Sequence, residues 1–260
     1  MMRFVHYRPG GLARILMVAG LVIGLAVSSV PPSQAAEDNL SAAQQKQVEE
    51  LVRKYIVDHP EVIVEAIQRM QAREQEAQKV RAQAALKDNH LALVADADAP
   101  IMGNPNGKVT VVEFFDYRCG YCKRVFPTIM QILKNDPSVR YVVKEFPILG
   151  PESVTASRAS LAVWRTHKDK YKAFHAALMT ARGGVPEAKV LHIAEGLGID
   201  KGQLKKAMAD PAIDKILERN YSLAQALNIN GTPAFVIGGK LVPGAIDAAT
   251  MKKMIAEAGS

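Results

Sequence analysis

The chain has 260 residues, 48% hydrophobic and 23% charged, which excludes a disordered or collagen-like chain and leaves room for one large domain or two modest ones. Its two cysteines are too few for a disulfide-stapled scaffold. The formal charge is +7, part of it carried by a segment that reads as removable.

Residues 1–35 read as a secretory signal peptide. Arg3, Arg8 and Arg14 form a basic start without acids, and Leu12 to Val30 is almost wholly apolar. Ser33-Gln34-Ala35 places small residues where a signal peptidase reads, so cleavage is expected before Ala36. An uncleaved anchor is the alternative. The uncharged core from Ile15 to Val27 is only 13 residues, against the ~20 of a spanning helix. Without this segment Lys+Arg falls to 30 against 26 acids, a net of +4 that makes no case for nucleic acid. Export implies an oxidising compartment, here a bacterial periplasm.

Residues 36–95 are expected to be a helical segment apart from the rest. Ser41 and Gln44 fit a capping box. Val48, Leu51, Val52, Tyr55 and Ile56 share one helical face. Asp58-His59-Pro60 marks a break, and Val62, Ile63, Ala66, Ile67 and Met70 form a second stripe. From Gln71 to Lys87 strong helix formers leave a thin apolar face, suited to solvent or to a partner. Residues 92–107, with the Asn104-Pro-Asn-Gly107 turn, read as a linker.

Val109–Phe115 reads as a strand covered on both faces, followed by a helix from about Cys119 to Asn135 and a strand at Val139–Phe146. This is a strand–helix–strand unit, expected to be parallel. Only helical patterns follow from Pro151 to Leu227. Ala234–Ile237 and Lys240–Pro243 are short strands joined by Gly238-Gly239, and Asp247 caps a last helix to Ala258.

Both cysteines lie in Cys119-Gly120-Tyr121-Cys122, after a strand and at a helix start. Unpaired amides and partial positive charge there favour a thiolate at Cys119, with Lys123 and Arg124 adding charge nearby. Cys122 lies on the same face, within reach to close a disulfide. Cys119 is thus expected to be the exposed attacking thiol and Cys122 the buried resolving one. Half of a zinc site is one alternative, but there is no second cysteine pair and the histidines lack ligand spacing. A structural disulfide is another, though it would close a very small loop.

Glu113 interrupts the apolar run six residues before Cys119. Burial there should raise its pKa and let it exchange the Cys122 proton through water; an exposed edge acid is the alternative. Asp116 is a candidate tuner of the thiolate, with a solvated loop acid as the alternative. Trp164 and Phe174 fit core stripes, and His175 and His192 read as ordinary surface or core residues. Thr232-Pro233 opens the late strand, and sequence alone does not license a cis bond there.

Together, Glu113-Phe-Phe-Asp116-Tyr117, Cys119-Gly-Tyr-Cys122-Lys123 and Gly231-Thr-Pro233-Ala-Phe235 resemble the thioredoxin superfamily over about residues 100–260. The helical stretch at about 148–227 is similar to the insertion of its DsbA branch. Tyr55-Ile-Val-Asp58-His59-Pro60-Glu61 is similar to the N-terminal segment of ScsC-like periplasmic thiol–disulfide proteins, several of which are oligomers through it.

The resemblance implies an α/β fold: a thioredoxin core with an inserted helical domain, preceded by an N-terminal oligomerisation segment. It implies a cis Pro233, a buried-acid role for Glu113, and a substrate strand lined by Gly120, Tyr121, Thr232 and Pro233. The activity implied is thiol–disulfide exchange on exported, cysteine-containing proteins. It needs no metal or organic cofactor and depends on a membrane-embedded redox partner. Gly-Tyr between the cysteines, where strong DsbA oxidases carry Pro-His, points to a disulfide isomerase or reductase. A DsbA-like oxidase, or a copper- or zinc-binding or holdase protein, is the alternative.

Overall fold

The protein is described from a computed structural model over residues 40–260, and the signal-peptide reading of residues 1–35 lies outside them. The described chain divides into two units after Pro60.

The first unit holds α1 (Ala42–Asp58). Its capping box is formed: the Gln44 N–H donates to Ser41 Oγ at 3.4 Å and the Ser41 N–H donates to Gln44 Oε1 at 2.9 Å. That satisfies two amides a helix start would otherwise leave unpaired. α1 buries no residue, and Val48, Leu51, Val52 and Tyr55 of the expected stripe are all exposed, Leu51 at 66%.

The second unit begins with α2 (Glu61–Asp88), α3 (His90–Val94), β1 (Ile101–Gly103), β2 (Val109–Phe115), α4 (Gly120–Asn135) and β3 (Val139–Glu145). Five helices follow: α5 (Pro151–Thr166), α6 (Lys168–Thr180), α7 (Glu187–Gly196), α8 (Lys201–Met208) and α9 (Pro211–Ala226). β4 (Ala234–Ile237), β5 (Lys240–Pro243) and α10 (Ala248–Gly259) complete it. The strands form one sheet in the order β1-β3-β2-β4-β5. β2 and β3 are parallel, from Val109 opposite Val139 to Phe115 opposite Glu145, and the other pairs are antiparallel. Gly238 and Gly239 turn the β4–β5 hairpin at φ +56° and +73°, conformations that side chains resist.

Alternation along the strands splits the core between the two sheet faces. Val111, Phe115, Tyr141, Val143 and Phe235 face one way, toward a core shared with α4, α10 and the helical insertion. Val112, Phe114, Val142, Phe146 and Val236 face the other, toward Leu86 at the end of α2, Leu93 of α3, Ala99, and Leu223, Leu227 and Ile229.

Two corrections to the sequence reading follow. The expected linker at 92–107 contains β1, which pairs Ile101 with Val142 and ends at Gly103 (φ +73°); three residues are too few to show a strand period. The segment expected to stand apart through residue 95 belongs to the sheet from Leu86 onward. An ion pair fastens this stretch. The Lys144 ammonium, 1% exposed on the interior strand β3, donates to Asp96 at 2.6 Å. Arg219 of α9 adds contacts of 3.9 Å to Asp96 and 2.6 Å to Asp98.

Candidate active site

β2 runs out at Phe115, and a turn closed by the Cys119 N–H donating to the Asp116 carbonyl at 3.0 Å delivers Cys119 to the start of α4. Cys119 is the N-cap residue, its sulfur accepting from the Cys122 N–H at 3.4 Å. Both cysteines are free thiols. The expectation of an exposed Cys119 is corrected in degree: Cys119 is 5% exposed and Cys122 is wholly covered. The order holds, since only Cys119 keeps any surface. Across the site lies the loop before β4. Its Thr232-Pro233 peptide bond is cis, and the Thr232 carbonyl lies 3.1 Å from Cys119 Sγ. Pro233 is buried, Thr232 half-buried, Gly120 exposed, and Tyr121 exposed at 57%.

Cys119 is pulled down to about 5. A hydrogen bond from the Cys122 thiol contributes most, against the opposing effect of burial. The Thr232 side chain and the backbone amides of Cys122 and Tyr121 add to it. The Thr232 carbonyl cannot help here, since it only accepts from the protonated thiol. The expected help from Lys123 and Arg124 is absent from these causes. Lys123 Nζ donates to the Ala181 carbonyl at 2.5 Å, and the Arg124 guanidinium sits 4.8 Å from the Tyr121 ring centre. The Cys122 thiol and the amides of the helix start are the main donors that favour the thiolate. Cys122 is pushed up, first by burial, then by its hydrogen bond to Cys119 and the charge of Glu113.

Glu113 lies in the middle of the sheet, opposite Val143 on β3 and Phe235 on β4, and is 2% exposed. The exposed-edge alternative therefore fails. Oε2 accepts from the Tyr141 hydroxyl, while Oε1 has no hydrogen-bond partner among the described residues. Burial pushes its pKa up to about 8, against the Tyr141 bond, so near neutral pH it can hold or release a proton.

Asp116 is no solvated loop acid: it is fully buried, and its carboxylate accepts four hydrogen bonds. Sequence reasoning also missed a second buried polar cluster beneath the insertion. Glu145 accepts from Ser157 Oγ at 2.6 Å and from the Tyr117 hydroxyl at 3.3 Å. The Tyr117 hydroxyl also meets Ser160 Oγ at 2.7 Å and His175 Nδ1 at 2.8 Å. Burial pushes Glu145 up to about 8 and His175 down to about 3. The signal available was Glu145 itself, a second acid on an apolar strand. Phe174 is core, Trp164 packs against it half-buried, and His192 is exposed beside Glu195. Among the described residues no three His, Cys, Asp or Glu side chains gather as a metal site needs, and no helix is long and apolar enough to cross a membrane.

Comparison with known proteins adds a family. Residues 110–256 match the DSBA-like thioredoxin domain, and residues 44–77 match the copper resistance protein ScsC N-terminal domain. A thioredoxin-like oxidoreductase from Silicibacter pomeroyi is 43% identical, with a TM-score of 0.63 over 65% of this chain and 97% of that one. ScsC of Proteus mirabilis, in a transitional conformation, is 35% identical, with a TM-score of 0.64 over 84% of this chain and 98% of that one. The Na+/H+ antiporter NhaA 3 of Salinispora tropica is 26% identical over 175 residues, 66% of this chain. There the chain spans about a quarter of the relative's length, 27%.

Proposed function

The chain belongs to the DSBA-like thioredoxin domain family, and from that premise we propose that it is a thiol–disulfide oxidoreductase of the bacterial periplasm acting on exported proteins. The observation that carries this reading is the asymmetry of the cysteine pair. Cys119, at a helix start, is pulled down to about 5 and so ionises well below neutral pH, and the shielded Cys122 is three residues on.

The Cys119 thiolate attacks one sulfur of a substrate disulfide. The substrate S–S bond breaks, a mixed disulfide forms at Cys119, and the second substrate sulfur leaves as a thiolate. Cys122 then loses its proton and attacks Cys119 Sγ. The mixed disulfide breaks, the substrate leaves with both sulfurs reduced, and the Cys119–Cys122 disulfide holds the two electrons' worth of oxidation. Run backward, the same steps oxidise a dithiol. Glu113 is the acid–base group for Cys122, through water, because its charge disfavours ionisation of the Cys122 thiol and its Oε1 is unpartnered. Gly120, Tyr121, Thr232 and Pro233 line the substrate strand beside Cys119.

In direction, the Gly-Tyr dipeptide supports isomerisation or reduction, with a membrane reductant resetting the pair. The match of residues 44–77 to the ScsC N-terminal domain and the bare stripe on α1 support self-association through that segment, which would place several Cys119 sites around one substrate. Rapid-mixing kinetics with a mixed-disulfide peptide test the chemistry. Cys119→Ser should abolish attack, and Glu113→Gln should slow resolution by Cys122 about a hundredfold while leaving the first step intact. A resolution rate unchanged in Glu113→Gln removes Glu113 from the mechanism. The in-cell redox state of the pair decides direction: mostly reduced for an isomerase, mostly oxidised for an oxidase. Light scattering of the protein lacking residues 1–35 tests self-association, and a monomer at micromolar concentration ends that part of the reading.

A further inference from the structure

Asp116 is built into the site more firmly than any role so far requires. Oδ1 accepts from the Arg118 N–H at 2.7 Å and from Ser153 Oγ at 2.8 Å. Oδ2 accepts from the Ile148 N–H at 2.9 Å and the Leu149 N–H at 3.0 Å. A carboxylate has about four lone-pair sites, and here all are used. Two donors lie in the loop after β3, one in the first turn of α5 and one in the cysteine turn itself. Asp116 also accepts the Cys119 N–H on its carbonyl. A second tie runs outside the first: the Arg118 guanidinium donates to the Leu149 carbonyl and lies 3.5 Å from Glu152. Glu152 in turn accepts the Val185 N–H at 3.0 Å.

We propose that Asp116 is a positioning residue for the exchange reaction: its carboxylate clamps the cysteine turn to the 147–150 loop and to α5, and so keeps the Cys119 sulfur seated on the amides at the start of α4. The proposal rests on the exchange reading of the pair. Its physical basis is that the seat is made by a hydrogen bond that depends on the turn's position. The Cys122 N–H reaches Cys119 Sγ at 3.4 Å, and a loosened turn lengthens and weakens that bond. An amide in place of the carboxylate has one acceptor oxygen, so two of the four donors would face an NH2 group and the turn would loosen.

The test uses the reduced full-length chain, with the Cys119 thiolate followed by its ultraviolet absorbance as pH is varied. Removing a negative charge would by itself favour the thiolate and lower the midpoint. Loosening the seat has the opposite sign. Asp116→Asn is expected to raise the midpoint by about one pH unit, which is about tenfold less thiolate below it. Ser153→Ala, which removes one donor and no charge, is expected to cost about threefold in the same direction. Exchange with a mixed-disulfide peptide should be slowed near pH 5 and recover toward wild type at pH values above both midpoints. A midpoint that stays or falls in Asp116→Asn overturns the proposal, as does a rate deficit equal at both pH values. Should Asp116→Asn fail to fold, Ser153→Ala decides alone, a rise supporting the clamp and no change overturning it. A wild-type protein inert toward the peptide would end the exchange reading, while the absorbance titration still judges the clamp.

Discussion

α1 and β3 both carry apolar residues and charges in alternation, and they dispose of them in opposite ways. α1 turns its stripe to solvent and pairs Lys54 with Asp58 at 2.6 Å, with side chains 74% and 49% exposed. β3 buries nearly everything, including an ammonium whose partner Asp96 comes from a turn 48 residues earlier. The same ionic contact, at the same distance, is a surface ornament in one place and a structural obligation in the other. What differs is the water each group has given up.

The sharpest test exchanges one partner in each pair. Asp96→Ala leaves Lys144 buried without its carboxylate and is expected to cost about 3–5 kcal/mol in urea unfolding. Lys54→Ala should cost less than about 1 kcal/mol. Equal losses would erase the distinction. Next in size, Leu93→Ala should cost about 2–5 kcal/mol, because Leu93 is buried against the sheet. Leu51→Ala should leave a monomer's stability within about 0.5 kcal/mol. A large loss at Leu51 would show instead that the stripe is covered in solution, and a matching change in mass would identify the cover as another copy.

A further contrast is a pH dependence carried by the catalytic unit. Glu113 has a folded pKa raised from 4.5 to about 8, so between those values the folded state binds the extra proton and stability falls as pH rises. Cys119 has the reverse shift, from 9.0 to about 5, so the reduced protein gains stability as pH rises through that window. The two slopes oppose each other, so relative to the wild-type reduced protein Glu113→Gln should tilt the dependence toward a rise between pH 5 and 8, and Cys119→Ser toward a fall. Urea midpoints across that range read both, and parallel curves for the two variants would contradict the assigned shifts.

Local devices were legible because all their parts lie within a few residues. The capping box, the Gly238-Gly239 hairpin, the β-branched β2 and the cysteine motif each announce themselves in one short window. Lys144, Glu145 and Asp116 did not, since what makes them tolerable underground comes from afar: Asp96, Ser157 and Tyr117, and the amides of 148 and 149. β1 was too short for any period to show. The approach of Thr232 to Cys119 spans 113 residues, and only family likeness put the two together beforehand.

α2 is a single helix of 28 residues, about 42 Å long, with Leu86 near its last turn sunk in the sheet's core. A helix is a ruler as well as a scaffold. Glu61, its first residue, stands about 40 Å along the helix axis from Asp88, because each residue advances the axis by about 1.5 Å and turns it by about 100°. Removing seven residues from the exposed middle of α2 would shorten the reach by about 10 Å and nearly keep the bearing, whereas removing two would swing it by more than half a turn. Reach and bearing can thus be changed separately by cutting this one element.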